Sequence, residues 1–418
     1  MDEPLTGAQV ELDVGAPAHG GHCVARLDGP NGRVVFVRHA LPGERVRALV
    51  TEDHGSFCRA DAIEVLAASP DRVPAPCPHA GPGRCGGCDW QHANADAQRE
   101  LKAAVVREQF TRLARLDVSR LLSGVEPLDG GLLGWRTRIT FAVDAEGRPG
   151  LHRHRSHEVE HMTFCPLGVS GVGDSEALGH DWVGLTGIEA VRGDGDRVTV
   201  LAHRPGPARR GRGRRPPDRV ELVDGPEVVT HRVGEREFRV QADGFWQVHP
   251  AAADTFSRAV LDALAPRAGE TALDLYCGAG LLTAALADAV GPSGRVVGVE
   301  SSAQAVADAT ANLTGVPWAT VSRGRVDPSL LGRLADQFGA GPDLVVLDPP
   351  RSGAGKDVMQ ALVALAPRAI GYVACDPAAL ARDVAVAGEA GWRLNALRAF
   401  DAFPMTHHVE CVATLVPR

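Results

Sequence analysis

At residues 273–280 the chain reads Leu-Asp-Leu-Tyr-Cys-Gly-Ala-Gly, a short apolar strand that runs into a glycine-rich turn. Asp274 stands near the end of the strand, and Gly278 and Gly280 let the backbone turn tightly against a ligand at the next helix N-terminus. Apolar strands alternate with helical segments around it, and the predicted strands span residues 271–275, 295–299, 343–347 and 370–374. This alternation predicts an α/β fold over residues 241–418, with a parallel sheet covered on both faces.

A ligand with a nucleoside part is expected at this turn. Glu300 ends the next strand, 20 residues after Gly280, where a carboxylate can accept hydrogen bonds from ribose hydroxyls. Thr283 occupies the place of the third glycine of the dinucleotide fingerprint. The pattern therefore favours S-adenosylmethionine (SAM) over NAD, and a dehydrogenase is the least favoured alternative.

Three reactive side chains are predicted near this ligand. Asp348, in Asp348-Pro-Pro-Arg351, and Cys375 each follow a strand, so both lie at the sheet edge where doubly wound folds bind ligands. Glu410 stands in an apolar strand, where a carboxylate is costly to bury without a role. A thiol and a carboxylate beside a nucleoside cofactor indicate a specific chemistry. The thiol adds to a carbon, a group is transferred to the neighbouring carbon, and the carboxylate removes a proton.

A second group of cysteines consists of Cys77, Cys85 and Cys88, with Cys165 far downstream. Three close thiols and one distant thiol can form a four-thiolate site, and zinc or an iron–sulfur cluster fits the count. The N-terminus shows no signal-peptide pattern, so metal binding or catalysis is favoured over a disulfide framework.

The 418 residues are too many for one core, so further domains are expected. Residues 1–67 carry short strands between turn residues and predict a small barrel of the OB type. Residues 68–92 and 125–240 predict a mostly β central domain that bears the cysteines, and residues 93–124 predict an amphipathic helix that packs on the C-terminal domain. Arg204–Arg215 holds six arginines and predicts a mobile basic loop suited to phosphate contacts.

The composition of the chain indicates which classes of binding partner are expected. No apolar run reaches the ~18 residues of a membrane span, so we expect no membrane partner. We also expect a cytoplasmic protein and a monomer. The net charge of −8 argues mildly against nucleic acid, because nucleic-acid-binding proteins usually carry a basic footprint. Such a footprint can be local, and the arginine-rich loop supplies a local basic patch.

Together these motifs resemble those of the bacterial RNA uracil-C5 methyltransferases, which form 5-methyluridine in transfer or ribosomal RNA. The resemblance runs from about residue 5 to the C-terminus. It implies an N-terminal TRAM domain that binds RNA and a C-terminal class I SAM-dependent methyltransferase domain of Rossmann-like fold. Asp243-Gly-Phe-Trp-Gln247 is similar to the family segment whose glutamine contacts SAM.

The resemblance also implies roles for individual residues. Cys375 is the implied nucleophile and Glu410 the implied general base. The implied SAM-binding residues are Gln247, Asp274, Tyr276, Gly278, Gly280, Glu300 and Asp348. The implied ligands of a [4Fe–4S] cluster, which the ribosomal RNA branch contains, are Cys77, Cys85, Cys88 and Cys165. Ribosomal RNA is therefore the expected partner, ahead of transfer RNA. Asp376 stands where family members commonly have asparagine.

Three other functions stay open from the sequence. One is a transfer RNA uracil-C5 methyltransferase. Another is an RNA cytosine-C5 methyltransferase, which lacks the partner glutamate and usually carries a second catalytic cysteine, for which Cys411, interpreted as a packing residue, could be mistaken. The third is a non-catalytic RNA-binding protein on a decayed methyltransferase fold, against which the intact Cys375, Glu410 and Asp348 argue.

Overall fold

The N-terminal domain is a curled six-stranded sheet. The computed structural model describes residues 5–207, 216–339 and 341–418, so most of the predicted basic loop lies outside the described residues. The strands are β1 Gln9–Asp13, β2 Pro17–Ala18, β3 His22–Arg26, β4 Val34–Arg38, β5 Arg45–Asp53 and β6 Phe57–Ala67. They pair in the order β1-β5-β6-β4-β3-β2. Backbone bonds of 2.8 and 2.9 Å join Gly15 and Ala16 to Val24 and bring the ends of the sheet together. The predicted barrel is present.

Helix α1 (Ala95–Gln109) joins the barrel to the C-terminal domain. Asn94 caps it, because its side-chain oxygen accepts a hydrogen bond of 2.9 Å from the Ala97 amide. The buried face of the helix is divided between two cores. Leu101 packs with the barrel and Val106 with the C-terminal domain. A π-helical turn, Phe110–Ala114, follows. The predicted helix therefore packs on both domains.

The central region is mostly β, as predicted. Its strands are β8 Arg138–Val143, β9 Pro149–His152, β10 Val159–His161, β11 Gly187–Arg192, β12 Val198–Arg204, β13 Arg219–Asp224, β14 Val228–Val233 and β15 Arg236–Gln241. The first six form an antiparallel sheet in the order β10-β9-β8-β11-β12-β13, and β14 and β15 form a separate hairpin. A short 3-10 helix covers Glu176–Gly179.

The C-terminal sheet has eight strands. They are β7 Val125–Pro127, β16 Thr271–Leu275, β17 Arg295–Glu300, β18 Ala319–Arg323, β19 Leu344–Leu347, β20 Ala369–Ala374, β21 Trp392–Asp401 and β22 Glu410–Pro417. Their order is β18-β17-β16-β19-β20-β22-β21-β7, and β22 runs antiparallel to both its neighbours. The four strands predicted between residues 271 and 374 are confirmed. The central region was predicted to begin at residue 125, but β7 pairs with β21 and so belongs to the C-terminal sheet. Three residues are too few to show which sheet a strand joins.

Helices cover both faces of this sheet. They are α2 Ala252–Leu264, α3 Leu281–Val290, α4 Ala303–Asn312, α5 Pro328–Phe338, α6 Lys356–Ala364 and α7 Pro377–Glu389. Strand β19 shows the alternation that this arrangement requires, since Leu344 and Val346 pack in one core and Val345 and Leu347 in the other. The carboxyl ends of β16, β17, β19 and β20 therefore meet at one edge. Among the described residues, no helix has the length and apolar character needed to cross a membrane.

Candidate active site

Cys375 and Glu410 lie at the same end of adjacent antiparallel strands. Ala374 pairs with Cys411, so Cys375 is one residue beyond the end of β20 and Glu410 is the first residue of β22. Glu410 is only 4% exposed, whereas Cys375 is half-buried. The sheet therefore holds a carboxyl group beside a thiol that a substrate can reach.

The electrostatics of this pair depend on burial. Burial and then the charge of Asp348 raise the pKa of Glu410 well above its ordinary value, with Arg351 opposing. Burial, followed by Glu410 and Asp348, raises the pKa of the Cys375 thiol to about 11. Burial also raises the pKa of Asp348 to about 7. A carboxyl with a raised pKa is a stronger proton acceptor once it ionises, which suits a general base.

The glycine turn forms the cofactor side of the same edge. Gly280, with a φ of +89°, caps α3 in the left-handed region, which favours glycine. Asp274 is fully buried at the end of β16, and its Oδ2 accepts a hydrogen bond of 2.5 Å from the Thr283 hydroxyl. Its Oδ1 has no hydrogen-bond partner among the described residues, and burial raises the pKa of this carboxyl to about 7. A positively charged ligand would satisfy the free oxygen.

Glu300 ties the glycine turn to the neighbouring strand. Its Oε1 accepts hydrogen bonds from the amides of Ser301 (2.6 Å) and Ser302 (2.8 Å), and its Oε2 accepts one from the Gly278 amide at 3.3 Å. The Asp348 amide donates to the Leu275 carbonyl at 3.2 Å, directly before Tyr276. The six predicted cofactor residues on this domain's strand ends thus share one edge: Asp274, Tyr276, Gly278, Gly280, Glu300 and Asp348.

Gln247, the remaining predicted cofactor residue, lies against the central region. It follows Trp246, which stacks on His231 of β14 with ring centroids 4.8 Å apart. Gln247 lines a cavity together with Arg192 and Asp194 of the central region. No hydrogen bond joins it to the glycine turn within the described part of the chain, so its predicted SAM contact stays a prediction.

The four predicted metal ligands converge on one cavity of about 440 Å³, lined by Cys77, Cys85, Cys88 and Cys165. Gln91 bridges two of them, since its Nε2 donates to Cys88 Sγ at 3.2 Å and its Oε1 accepts from the Cys77 amide at 3.0 Å. Burial raises the pKa of Cys85 to about 11. Within residues 5–207, 216–339 and 341–418, no three Cys, His, Asp or Glu side chains are gathered closely enough to hold a single metal ion.

Comparisons with known proteins agree with this architecture. Three family models match: the TRAM domain over residues 5–63, the methyltransferase small domain over 249–371, and tRNA (uracil-5-)-methyltransferase over 337–418. A Streptomyces avermitilis RNA methyltransferase is 48% identical, over 98% of this chain and 99% of the relative. The 23S rRNA (uracil(1939)-C(5))-methyltransferase RlmD of Methylococcus capsulatus is 32% identical, over 98% of each.

The chain belongs to the RNA uracil-5-methyltransferase family. It is a SAM-dependent methyltransferase, as the resemblance implied. The Pyrococcus abyssi tRNA (uracil-54, C5)-methyltransferase, solved with S-adenosyl-L-homocysteine, has the same fold. Its TM-score is 0.69, at 22% identity over 97% of this chain and 100% of that chain.

The structure of this methyltransferase also shows contacts that the sequence did not reveal. Gln98 and Lys102 of α1 are buried, and both hold the segment that leads to Glu410. Gln98 Oε1 accepts a hydrogen bond of 2.8 Å from the Met405 amide. Lys102 Nζ donates to the Phe403 carbonyl at 3.0 Å and to Asp401 Oδ1 at 2.5 Å. The sequence did offer one indication of these contacts, because two polar residues lie four positions apart on an otherwise apolar face of the helix.

The barrel of the methyltransferase also reaches the nucleophile loop. His19 Nε2 lies 3.0 Å from Oδ2 of Asp376, the residue after Cys375. Asp376 Oδ1 accepts a hydrogen bond of 2.7 Å from the Ala379 amide and so caps α7. The aspartate that replaces the family's common asparagine therefore connects the TRAM domain to the start of α7.

Proposed function

We propose that this methyltransferase transfers the methyl group of SAM to C5 of a uridine in 23S ribosomal RNA, with Cys375 as nucleophile and Glu410 as general base. The observation that carries the proposal is the placement of a half-buried thiol and a buried carboxyl on adjacent strand ends. Both lie next to Asp348, at the edge where the cofactor turn is found.

The proposed mechanism uses this pair in sequence. The Cys375 thiol loses its proton to solvent, its thiolate sulfur bonds to C6 of the uracil, and the electron pair of the C5–C6 double bond becomes an enolate with charge at C5. C5 then takes the methyl group as the methyl–sulfur bond of the sulfonium breaks. Glu410 removes the proton from C5, the double bond re-forms, and the carbon–sulfur bond breaks to release the Cys375 thiolate.

The resting ionisation of the site fits this order of events. The raised pKa of Cys375 means that its thiol is mostly protonated near neutral pH before substrates bind. A sulfonium close to Asp348, Glu410 and Cys375 would lower the pKa of all three groups, which favours the carboxylate that acts as base and the thiolate that acts as nucleophile. The account therefore expects SAM to bind before the adduct forms.

The proposed cofactor roles are supported by the charge and the strand-end positions of these residues. Asp274, with its unpaired oxygen, and Asp348 supply negative charge next to the cation. Glu300 is placed to accept ribose hydroxyls, and Gly278 and Gly280 leave room for the close approach of the ligand. Gln247 and Tyr276 complete the proposed cofactor set.

The choice of ribosomal RNA rests on the Methylococcus capsulatus relative, which is named as a methyltransferase of uracil 1939 in 23S rRNA and matches this chain over 98% of its length. The target base cannot reach Cys375 from within a stacked helix, so it should be flipped out or taken from a loop. We assign the barrel, the central domain and the basic residues around Arg204–Arg215 to holding the surrounding RNA.

Cys411 argues against the cytosine-C5 alternative. It is fully buried, and it pairs with Ala374 inside the sheet. Burial also raises the pKa of its thiol. A second catalytic cysteine would have to reach the base, and a side chain in this position cannot.

We further propose that Cys77, Cys85, Cys88 and Cys165 hold a [4Fe–4S] cluster. A tetrahedral zinc site with Zn–S bonds of about 2.3 Å draws four sulfurs into a tight group. The described residues contain no such group, although all four thiols line one cavity. A cluster binds each thiolate to a different iron and so suits more widely spaced cysteines. When bound, it would cross-link residues 77–88 to Cys165 and supply no step of methyl transfer.

The substrate class is tested by incubating the full chain with methyl-labelled SAM and, separately, 23S rRNA or transfer RNA transcripts that lack modifications. Label recovered as 5-methyluridine from 23S rRNA alone supports the proposal. Label in transfer RNA alone would replace it with the transfer RNA function, and label recovered as 5-methylcytidine would contradict the uracil assignment.

A further inference from the structure

The segment between β21 and β22, residues 402–409, presents Glu410 to the active site but contains no helix or strand. Its position therefore depends on contacts from other parts of the chain. Gln98 and Lys102 hold its first half, at Phe403 and Met405. The second half, which leads directly into Glu410, needs a separate anchor.

Asp89 supplies that anchor from the cysteine-bearing segment. Its amide, together with the Trp90 amide, donates to the Met405 carbonyl at 2.9 Å. Its Oδ2 accepts a hydrogen bond of 3.0 Å from the His407 amide and lies 2.7 Å from His407 Nδ1. His407 is three residues before Glu410. One aspartate thus holds both the middle and the end of the segment.

The barrel fixes Asp89 in turn. Arg38 of β4 is 4% exposed and places Nη2 3.6 Å from Asp89 Oδ1. Gly21 of the barrel packs so closely that a Cβ there would lie 2.7 Å from Asp89 Cγ. The carboxylate is 8% exposed and faces donors on both its oxygens. An amide in its place would have to turn its NH₂ group toward one of those donors.

We propose that Asp89 is a positioning residue for the proton-removal step. It fixes the position of the Glu410 carboxyl group by holding His407 near the end of the 402–409 segment. The inference rests on the proposed function, because it assigns Asp89 to the step that Glu410 performs. Misplacement of a reacting group by about 1 Å can cost roughly 100-fold in rate. Methyl transfer depends on Cys375 at the end of another strand, so it should be affected less.

The test compares the full-length Asp89→Asn variant with the unmodified chain, using SAM and C5-tritiated 23S rRNA in single turnovers. We expect tritium release to slow by roughly 10- to 100-fold. A methylated protein–RNA adduct should accumulate on denaturing gels, while SAM affinity is unchanged. Glu44→Gln is the matched control, because Glu44 is a buried carboxylate held by Arg72 and the Leu41 amide in the barrel. It should lower stability without trapping an adduct.

If Asp89→Asn does not fold, His407→Ala tests the same link, since it removes the imidazole and leaves the backbone bond to Asp89. Equal slowing of methyl transfer and proton removal, or no slowing of either, would overturn the inference while leaving the proposed function intact. Absence of tritium release by the unmodified chain would overturn the proposed function and this inference together.

Discussion

Cys375 and Glu410 each lie one residue from a backbone-paired couple, Ala374 and Cys411, at the same end of β20 and β22. The ladder of a buried sheet therefore holds the two backbones at this spacing, and the 402–409 segment that leads into Glu410 affects only where its carboxyl group lies within it. Strand-end placement also brings them to the edge where the glycine turn and Asp348 lie. A rigid pair of this kind is what a two-step covalent mechanism requires, because the same uracil must meet both groups without leaving the site.

Cys375→Ala should abolish methyl transfer, because the C5 carbon of uracil is a poor nucleophile until a thiolate adds at C6. SAM affinity, measured by calorimetric titration, should stay close to that of the unmodified chain. Cys58→Ala is the control, since it removes a fully buried thiol from the barrel. Substantial turnover by Cys375→Ala would remove the nucleophile assignment.

Glu410→Gln should stall the reaction after methyl transfer, because an amide cannot accept the C5 proton. A methylated adduct should then be visible on denaturing gels when labelled RNA is used. Glu126→Gln is a suitable control, because Glu126 lies in β7 of the same sheet and pairs with Arg398 at the surface. Near-normal turnover by Glu410→Gln, with no adduct, would show that another group is the base.

The sequence predicted the parts of this site that carry local signals. The glycine turn, the aspartate after β19 and the cysteine after β20 follow apolar strands, and parallel strands bring their carboxyl ends to one edge. The pairings of Gln98 with Met405 and of Lys102 with Asp401 join residues about 300 positions apart. No spacing rule predicts such contacts, because they depend on how α1 packs between the barrel and the C-terminal domain.

The role of Asp89 also could not be predicted from the sequence. The spacing of the cysteines predicts a metal-ligand role for its neighbour Cys88, but no sequence motif includes Asp89. Its role becomes visible only when the structure places it against His407. The predicted start of the central segment at residue 125 differs from the structure for a related reason, since β7 pairs with β21, about 270 residues downstream.

Asp274 should make stability fall as the pH rises. Burial raises its pKa from 3.8 to about 7. Between about pH 4 and 7 the folded state therefore binds more protons than the unfolded state, and the free energy of unfolding decreases with pH. The Asp274→Asn variant has no carboxyl group to titrate here. Its free energy of unfolding, relative to that of the unmodified chain, should therefore increase from pH 4.5 to pH 8, by on the order of 4 kcal/mol at most.

Urea unfolding at the two pH values measures this difference. Asp343→Asn is the control, because hydrogen bonds from Thr271 lower the pKa of Asp343, and its contribution is then constant above pH 4.5. If the difference in free energy of unfolding between Asp274→Asn and the unmodified chain is the same at both pH values, Asp274 is ionised in the folded protein throughout this range.

Cys85→Ser should abolish iron binding if the four-cysteine site holds the proposed cluster. Protein purified without oxygen should contain about four irons and four sulfides per chain and absorb visible light. Cys23→Ser, which alters a buried thiol in the barrel core, should retain both. One zinc per chain, with no sulfide, would contradict the cluster assignment.

The central claim is substitution at C5 of uracil, and tritium release tests it most directly. The unmodified chain, SAM and 23S rRNA labelled with tritium at C5 of uridine are incubated together, and tritium in water is counted alongside methyl groups in RNA. The account predicts one tritium released for each methyl group gained. Methyl groups gained without tritium release would place the methylation at another atom and contradict the account.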